Sequence, residues 1–160
     1  MSLYLQRSGS QENPGLVLLH GWGMHSDIWQ PWLPLLEQHF EVICIDLPGL
    51  GRSADCFPSS YTLGTAAASI VNRLDSDQPA GTAKSLTWLG WSLGGLIAAQ
   101  IATDYPQRVA GLVTIASNPC FVQRDDYSTA MEAAVFRQFE DQLASDWQKT
   151  LGRFLMLMTQ

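Results

Sequence analysis

The sequence predicts an α/β fold, a mostly parallel sheet flanked by helices on both faces. Two observations carry the prediction. Four short runs, residues 16–19, 42–45, 86–89 and 112–115, place apolar residues on both faces instead of alternating them with polar ones. A strand buried on both faces belongs in a covered parallel sheet. Between the runs lie longer stretches with apolar residues at helical spacing, and strands alternating with helices give such a sheet its crossovers. With 46% hydrophobic and 15% charged residues in 160, the chain can build one domain with a core.

The elements follow in order. The turn residues Asn13, Pro14 and Gly15 precede the first run. Ser26 is the expected N-cap of a helix carrying Ile28, Trp29, Trp32, Leu33 and Leu36, with Pro31 near its first turn. The second run stops at Asp46, Leu47, Pro48 and Gly49. Thr62 is placed to cap a helix with Leu63, Ala66, Ile70, Val71 and Leu74 on one side. The third run leads into a small-residue helix over residues 93–105, ended by Pro106, and the fourth run follows. From about Asn118 the pattern changes to two amphipathic helices, residues 130–143 and 145–158. The expected division is therefore 1–117 as sheet core and 118–160 as the start of a helical lid over the carboxyl ends of the strands.

Charge and cysteine content exclude several classes. A formal net charge of −6, with no basic run interleaved with aromatics, disfavours a nucleic-acid binder. The apolar stretches are short and interrupted, so no membrane span is expected, and the N-terminus lacks a signal-peptide pattern. Cys44, Cys56 and Cys120 are odd in number and widely spaced, and they read as reduced thiols in a cytoplasmic protein. Cys44, inside an apolar run, is expected in the core. No metal or cofactor is called for.

The chemistry concentrates at Gly90-Trp91-Ser92-Leu93-Gly94-Gly95, a G-x-S-x-G sequence between a predicted strand and a predicted helix. A nucleophile on such a turn needs a strained backbone, usually with positive φ, so that its hydroxyl stands clear of the sheet. Ser92 is the expected nucleophile. The backbone N–H of Leu93, at the new helix's N-terminus, points to where an oxyanion would form. A second oxyanion donor is expected from the loop after the first strong strand, His20-Gly21-Trp22-Gly23, and is assigned to the N–H of Trp22. The Trp22 side chain fits either core packing or a wall of an acyl pocket, and Trp91 fits either core or site lining. His20 reads as a structural histidine anchoring the loop. Asp46 and Arg52 read as a loop anchor and a cation that fix the turn, in preference to a catalytic pair.

A Ser–Asp/Glu–His triad in this fold runs in that chain order. The only histidines, His20, His25 and His39, all precede Ser92. A serine hydroxyl without a base is a poor nucleophile near neutral pH. The 160 residues are accordingly expected to be the first part of a longer protein, with the last strand left as an exposed apolar edge.

With these residues in place, the chain resembles the pimeloyl-[acyl-carrier protein] methyl ester esterases of biotin synthesis, which are α/β hydrolases. The matching segments are residues 16–23 (LVLLHGWG), 46–53 (DLPGLGRS), 88–95 (WLGWSLGG), 117–121 (SNPCF) and 153–159 (RFLMLMT). The resemblance implies hydrolysis of the methyl ester of a pimeloyl thioester held on acyl carrier protein. It makes Ser92 the nucleophile, and Trp22 and Leu93 both oxyanion donors and substrate contacts. It also makes Phe154, Leu155, Met156, Leu157 and Met158 a lid segment against the pimeloyl chain, although Leu155 and Leu157 equally suit a helix packing its apolar face. Acyl carrier protein is acidic, so Arg124, Lys149 and Arg153 are expected docking residues, their alternative being a solvated helix face. Two other readings stay open: another small-ester or C–C bond hydrolase of the same superfamily, and a non-catalytic fragment or binding module.

Overall fold

The computed structural model describes residues 2–77 and 84–158 and divides the chain into two compact units, Met1–Asn118 and Pro119–Gln160. In the first unit, five strands, β1 (Leu5–Ser8), β2 (Gly15–Leu19), β3 (Glu41–Ile45), β4 (Leu86–Trp91) and β5 (Val109–Ile115), form one sheet in the order β1-β3-β2-β4-β5. The four expected runs are the parallel part of this sheet. β1 was not expected. It pairs antiparallel with β3 at the sheet edge, with Leu5 opposite Ile45 and Ser8 opposite Val42. Its sequence, Leu-Gln-Arg-Ser, has the half-polar character of an edge strand, and Arg7 is held by buried Glu41 at 2.7 Å.

The helices of this unit are α1 (Leu33–Leu36), α2 (Leu63–Ser76) and α3 (Leu93–Asp104). On one face of the sheet, Val17, Leu19, Ile43, Ile45 and Trp88 pack with Ala66, Ile70 and Leu74 of α2 and Ile97, Ala98 and Ile101 of α3. On the other face, Leu16, Leu18, Val42 and Cys44 pack with Trp29 and Leu33. Each large apolar side chain taken fully out of water contributes about 2 kcal/mol, so this two-sided burial is what holds the sheet between its layers. Trp88, fully buried, also donates its indole N–H to the Arg108 carbonyl at 2.9 Å. α2 starts as expected at Thr62: Thr65 N–H bonds to Thr62 Oγ1 at 3.1 Å, and Thr62 N–H returns the bond to Thr65 Oγ1 at 2.9 Å.

The helix expected from Ser26 is not continuous. A 3₁₀ turn covers Ser26–Trp29, and α1 begins only at Leu33. Pro31 and Pro34 remove the N–H groups that a continuous helix would need. Ser26 is not a cap either: its N–H goes to Asp46 Oδ1 at 2.7 Å and its hydroxyl accepts from Arg52 at 2.8 Å.

β5 closes the other side of the sheet. Leu112 and Val113, adjacent and therefore on opposite faces, are 42% and 44% exposed.

The second unit is a helical hairpin of α4 (Ala133–Ser145) and α5 (Trp147–Met158). The break falls at Asp146, one residue beyond the expected start, because the Asp146 carboxylate accepts the Lys149 N–H at 3.0 Å and caps α5. The Phe139 ring lies 6.4 Å from those of both Phe136 and Phe154, and buried Thr150 donates to the Gln142 and Asp146 carbonyls. No described helix is long and apolar enough to cross a membrane.

Candidate active site

The site is built where β4 runs into α3. Ser92 lies between them with φ 53° and ψ −116°, a left-handed conformation that a non-glycine residue adopts at a cost of about 1–3 kcal/mol. Three glycines make room for it. A side chain on Gly90 would strike the backbone of Gly94 and Gly95, and one on Gly94 would strike the carbonyls of Leu19 and His20. One on Gly95 would meet the Ser117 side chain. The strand, the helix and the end of β2 therefore approach backbone to backbone, and Ser92 is carried partly exposed at the apex. Leu93 is the first residue of α3, so its N–H has no intrahelical partner by position and lies at the positive end of the helix dipole.

The loop after β2 lies beside this turn. The position a Gly21 side chain would take is 3.4 Å from the Trp91 ring and 3.5 Å from Ser92 Cβ. Trp22 and Gly23 then form a turn closed by Met24 N–H to Gly21 O at 3.3 Å, with Gly23 at φ 73°. Trp22 is half-buried. The structure thus brings Ser92, Leu93 and the Trp22 loop together.

His20 is fully buried. Its Nε2 lies 2.9 Å from the Leu47 backbone nitrogen and must accept that N–H, which leaves the proton on Nδ1, 2.8 Å from Gly21 O. Burial lowers its pKa from the ordinary histidine value, so the ring is held neutral. Both nitrogens are committed to the scaffold, in line with the anchoring role read from the sequence.

Asp46 is likewise fully buried, and its carboxylate accepts the Ser26 N–H at 2.7 Å, the Arg52 N–H at 2.8 Å and Arg52 Nε at 2.8 Å. Burial alone would raise its pKa, but the hydrogen bonds from Arg52 and Ser26 outweigh it and hold the carboxyl well below the usual range. Arg52 also pairs with Asp27 at 2.8 Å and lies over the Tyr4 ring at 3.8 Å. The pair's hydrogen bonds join Ser26, Asp27 and the turn at Arg52, and so fix the loops. Cys44 is buried, and burial together with the nearby Asp46 charge pushes its thiol up to about 12.

Two residues of the site were not singled out from the sequence for any such role. Ala116 has φ 46° directly after β5, and Ser117 donates its hydroxyl to the Ser92 carbonyl at 2.9 Å. In the sequence Ser117 is only the first residue of a matching segment, and nothing local marks it as a neighbour of a residue 25 positions away.

The remaining candidates lie on the second unit. Phe154 and Leu155 are half-buried in the hairpin, while Met156 and Leu157 are exposed. Met158 ends α5; its side chain, and Thr159, lie outside the described residues. Lys149 and Arg153 are exposed on α5, and Arg124 is exposed but paired with Asp126 at 3.1 Å.

A strained serine on a strand–turn–helix junction, beside a glycine-bearing loop from the neighbouring strand, has the geometry of the strand-to-helix elbow of α/β hydrolases. The sequence pattern described as alpha/beta hydrolase fold matches residues 14–158, and the chain belongs to that family. It is 41% identical over 158 residues to a pimeloyl-[acyl-carrier protein] methyl ester esterase of Pectobacterium atrosepticum, a match covering 99% of this chain and 57% of that relative. The chain thus spans somewhat more than half the length of that protein. Among solved structures, it is similar to an esterase (EaEST) from Exiguobacterium antarcticum, with TM-score 0.80, 27% identity, and coverage of 95% of this chain and 55% of that one. It is similar also to a hydrolase from Pseudomonas aeruginosa PA01, with TM-score 0.76, 26% identity, and coverage of 96% and 53%.

Proposed function

We propose that the whole protein is a serine carboxylester hydrolase that cleaves the methyl ester of pimeloyl-acyl carrier protein in biotin synthesis. The observation that carries the reading is the left-handed Ser92 between β4 and α3; the 41% identity to a pimeloyl-[acyl-carrier protein] methyl ester esterase supports the substrate. In this reading Ser92 Oγ attacks the ester carbonyl, and the N–H groups of Trp22 and Leu93 stabilise the resulting oxyanion. Methanol leaves with the proton a base took from Ser92, and water then releases the acid from the acyl-enzyme. The base is a histidine that follows Ser92 in the chain order of this fold, and no histidine of this chain does. The 160-residue chain alone is therefore inactive.

Phe154, Leu155, Met156, Leu157 and Met158 serve the pimeloyl chain in this reading, and Arg124, Lys149 and Arg153 the acidic carrier. The protein works in the cytoplasm and needs no nucleic acid or membrane. The test uses the full-length protein. A serine-directed phosphonate is expected to label Ser92, and Ser92→Ala to lower hydrolysis of the pimeloyl methyl ester by several orders of magnitude. Unaltered turnover in that variant would remove the assignment. Faster turnover of short methyl esters than of the carrier-bound ester would favour a general small-ester hydrolase instead.

A further inference from the structure

We propose that Ser117 is a positioning residue, whose hydroxyl holds the Ser92 turn from the neighbouring strand. The proposal rests on the reading of Ser92 as nucleophile. A residue at φ 53° stays there only if its surroundings over-determine it. Two of the restraints on Ser92 come from its own helix, since its carbonyl accepts the N–H of Gly95 at 2.9 Å and of Leu96 at 3.3 Å. Those bonds form in any helix that starts here, and they leave the turn free to move with α3.

The other two come from the end of β5. The Ser92 N–H donates to the Ile115 carbonyl at 2.9 Å, which extends the β4–β5 ladder by one step beyond the Trp91–Ile115 pair. The Ser117 hydroxyl then donates to the Ser92 carbonyl, also at 2.9 Å. Ser92 is thus bonded at both its N–H and its C=O to residues flanking Ala116, which itself has φ 46°. The two neighbouring strands end in adjacent left-handed residues tied across.

Gly95 makes this contact possible. Its missing side chain would have been 2.6 Å from Ser117 Oγ and 2.7 Å from Ser117 Cβ, so the serine occupies the space the glycine leaves. The pairing of Gly95 with Ser117 gives the last glycine of the turn a purpose beyond strand–helix packing. Removing the hydroxyl leaves the helix bonds and the Ser92 N–H bond to Ile115 intact, but takes away the strand-side hold on the Ser92 carbonyl, and small displacements of a reacting atom are costly in rate.

The experiment compares wild type, Ser117→Ala and Ser117→Thr in the full-length protein. Three quantities are read: the rate constant for phosphonate labelling of Ser92, kcat and KM on a methyl ester, and the melting temperature. Ser117→Ala is expected to lower both labelling and kcat about tenfold, with KM within about twofold, and Ser117→Thr to restore most of the loss. A merely structural hydroxyl would move the melting temperature and leave labelling and kcat within about twofold, which would overturn the proposal alone. A folded Ser117→Thr that reacts as slowly as Ser117→Ala would overturn it too. A wild type that is not labelled at Ser92 would overturn the nucleophile reading, and this proposal with it.

Discussion

The ring of His20 bridges two loops, accepting the Leu47 N–H at Nε2 while facing the Gly21 carbonyl through Nδ1. Protonation would put a hydrogen on Nε2, opposite the Leu47 N–H, so the bridge exists only for the neutral ring. The folded-state pKa lies below the unfolded value of about 6.5. The unfolded chain then binds the extra proton first, and stability that is full above this pH is lost as pH falls below it. Thermal melts from pH 8 to pH 5 are expected to show that loss, and His20→Gln to flatten it. A wild-type melting temperature constant down to pH 5 would mean the ring is not held neutral.

Asp46 has a different sensitivity. Its buried carboxylate gathers Ser26 and Arg52, so Asp46→Ala strands two backbone N–H groups and leaves the Arg52 guanidinium with Asp27 and the Ser26 hydroxyl alone. A buried donor left without its partner costs about 1–3 kcal/mol, so with two N–H groups affected denaturant unfolding of the variant is expected to show a loss of about 2–5 kcal/mol. Asp46→Asn keeps the shape and one accepting oxygen but turns an NH2 toward N–H donors and removes the charge, so it is also expected to lose stability, though less than Asp46→Ala. A loss below about 1 kcal/mol in Asp46→Ala would show a surface-like pair.

Gly94→Ala tests the backbone approach at the Ser92 turn. The new methyl meets the Leu19 and His20 carbonyls, which belong to the centre of the sheet and cannot swing aside. A destabilisation of about 3 kcal/mol or more is expected from overpacking of this kind, read by denaturant unfolding. Near-neutral behaviour would mean that α3 can move away from β2.

The carrier reading makes a comparison between substrates. Reversal of Arg124, Lys149 and Arg153 to Glu is expected to lower kcat/KM for the carrier-bound ester and to leave a free methyl ester nearly unchanged. The effect should shrink as salt shortens the Debye length to about 8 Å. Because Arg124 is already paired with Asp126, its reversal is expected to weigh least. An equal loss on both substrates would assign the charges to the fold of the hairpin.

Much of this was legible in the sequence because the signals were local. The runs at 16–19, 42–45, 86–89 and 112–115 needed only their neighbours to read as buried parallel strands, and the Ser92 turn needed only its glycines and flanking elements. Thr62 capped its helix for the same reason. The misreadings share the opposite cause. Ser26 looked like a cap, but Asp46 and Arg52, at least 20 residues away, claim its N–H and hydroxyl. β1 has no apolar run because it is a strand only through β3. Ser117 meets a partner 25 positions away, just beyond the end of another strand.

The two wet faces of β5 have a consequence for handling the 160-residue chain. Its outer backbone groups are a template onto which another extended segment can hydrogen-bond, and Leu112 and Val113 offer such a segment apolar contact above and below. Polypeptides with that geometry associate in proportion to their concentration. Light scattering of the isolated chain should therefore rise with concentration, and a charge placed at Val113 should suppress it.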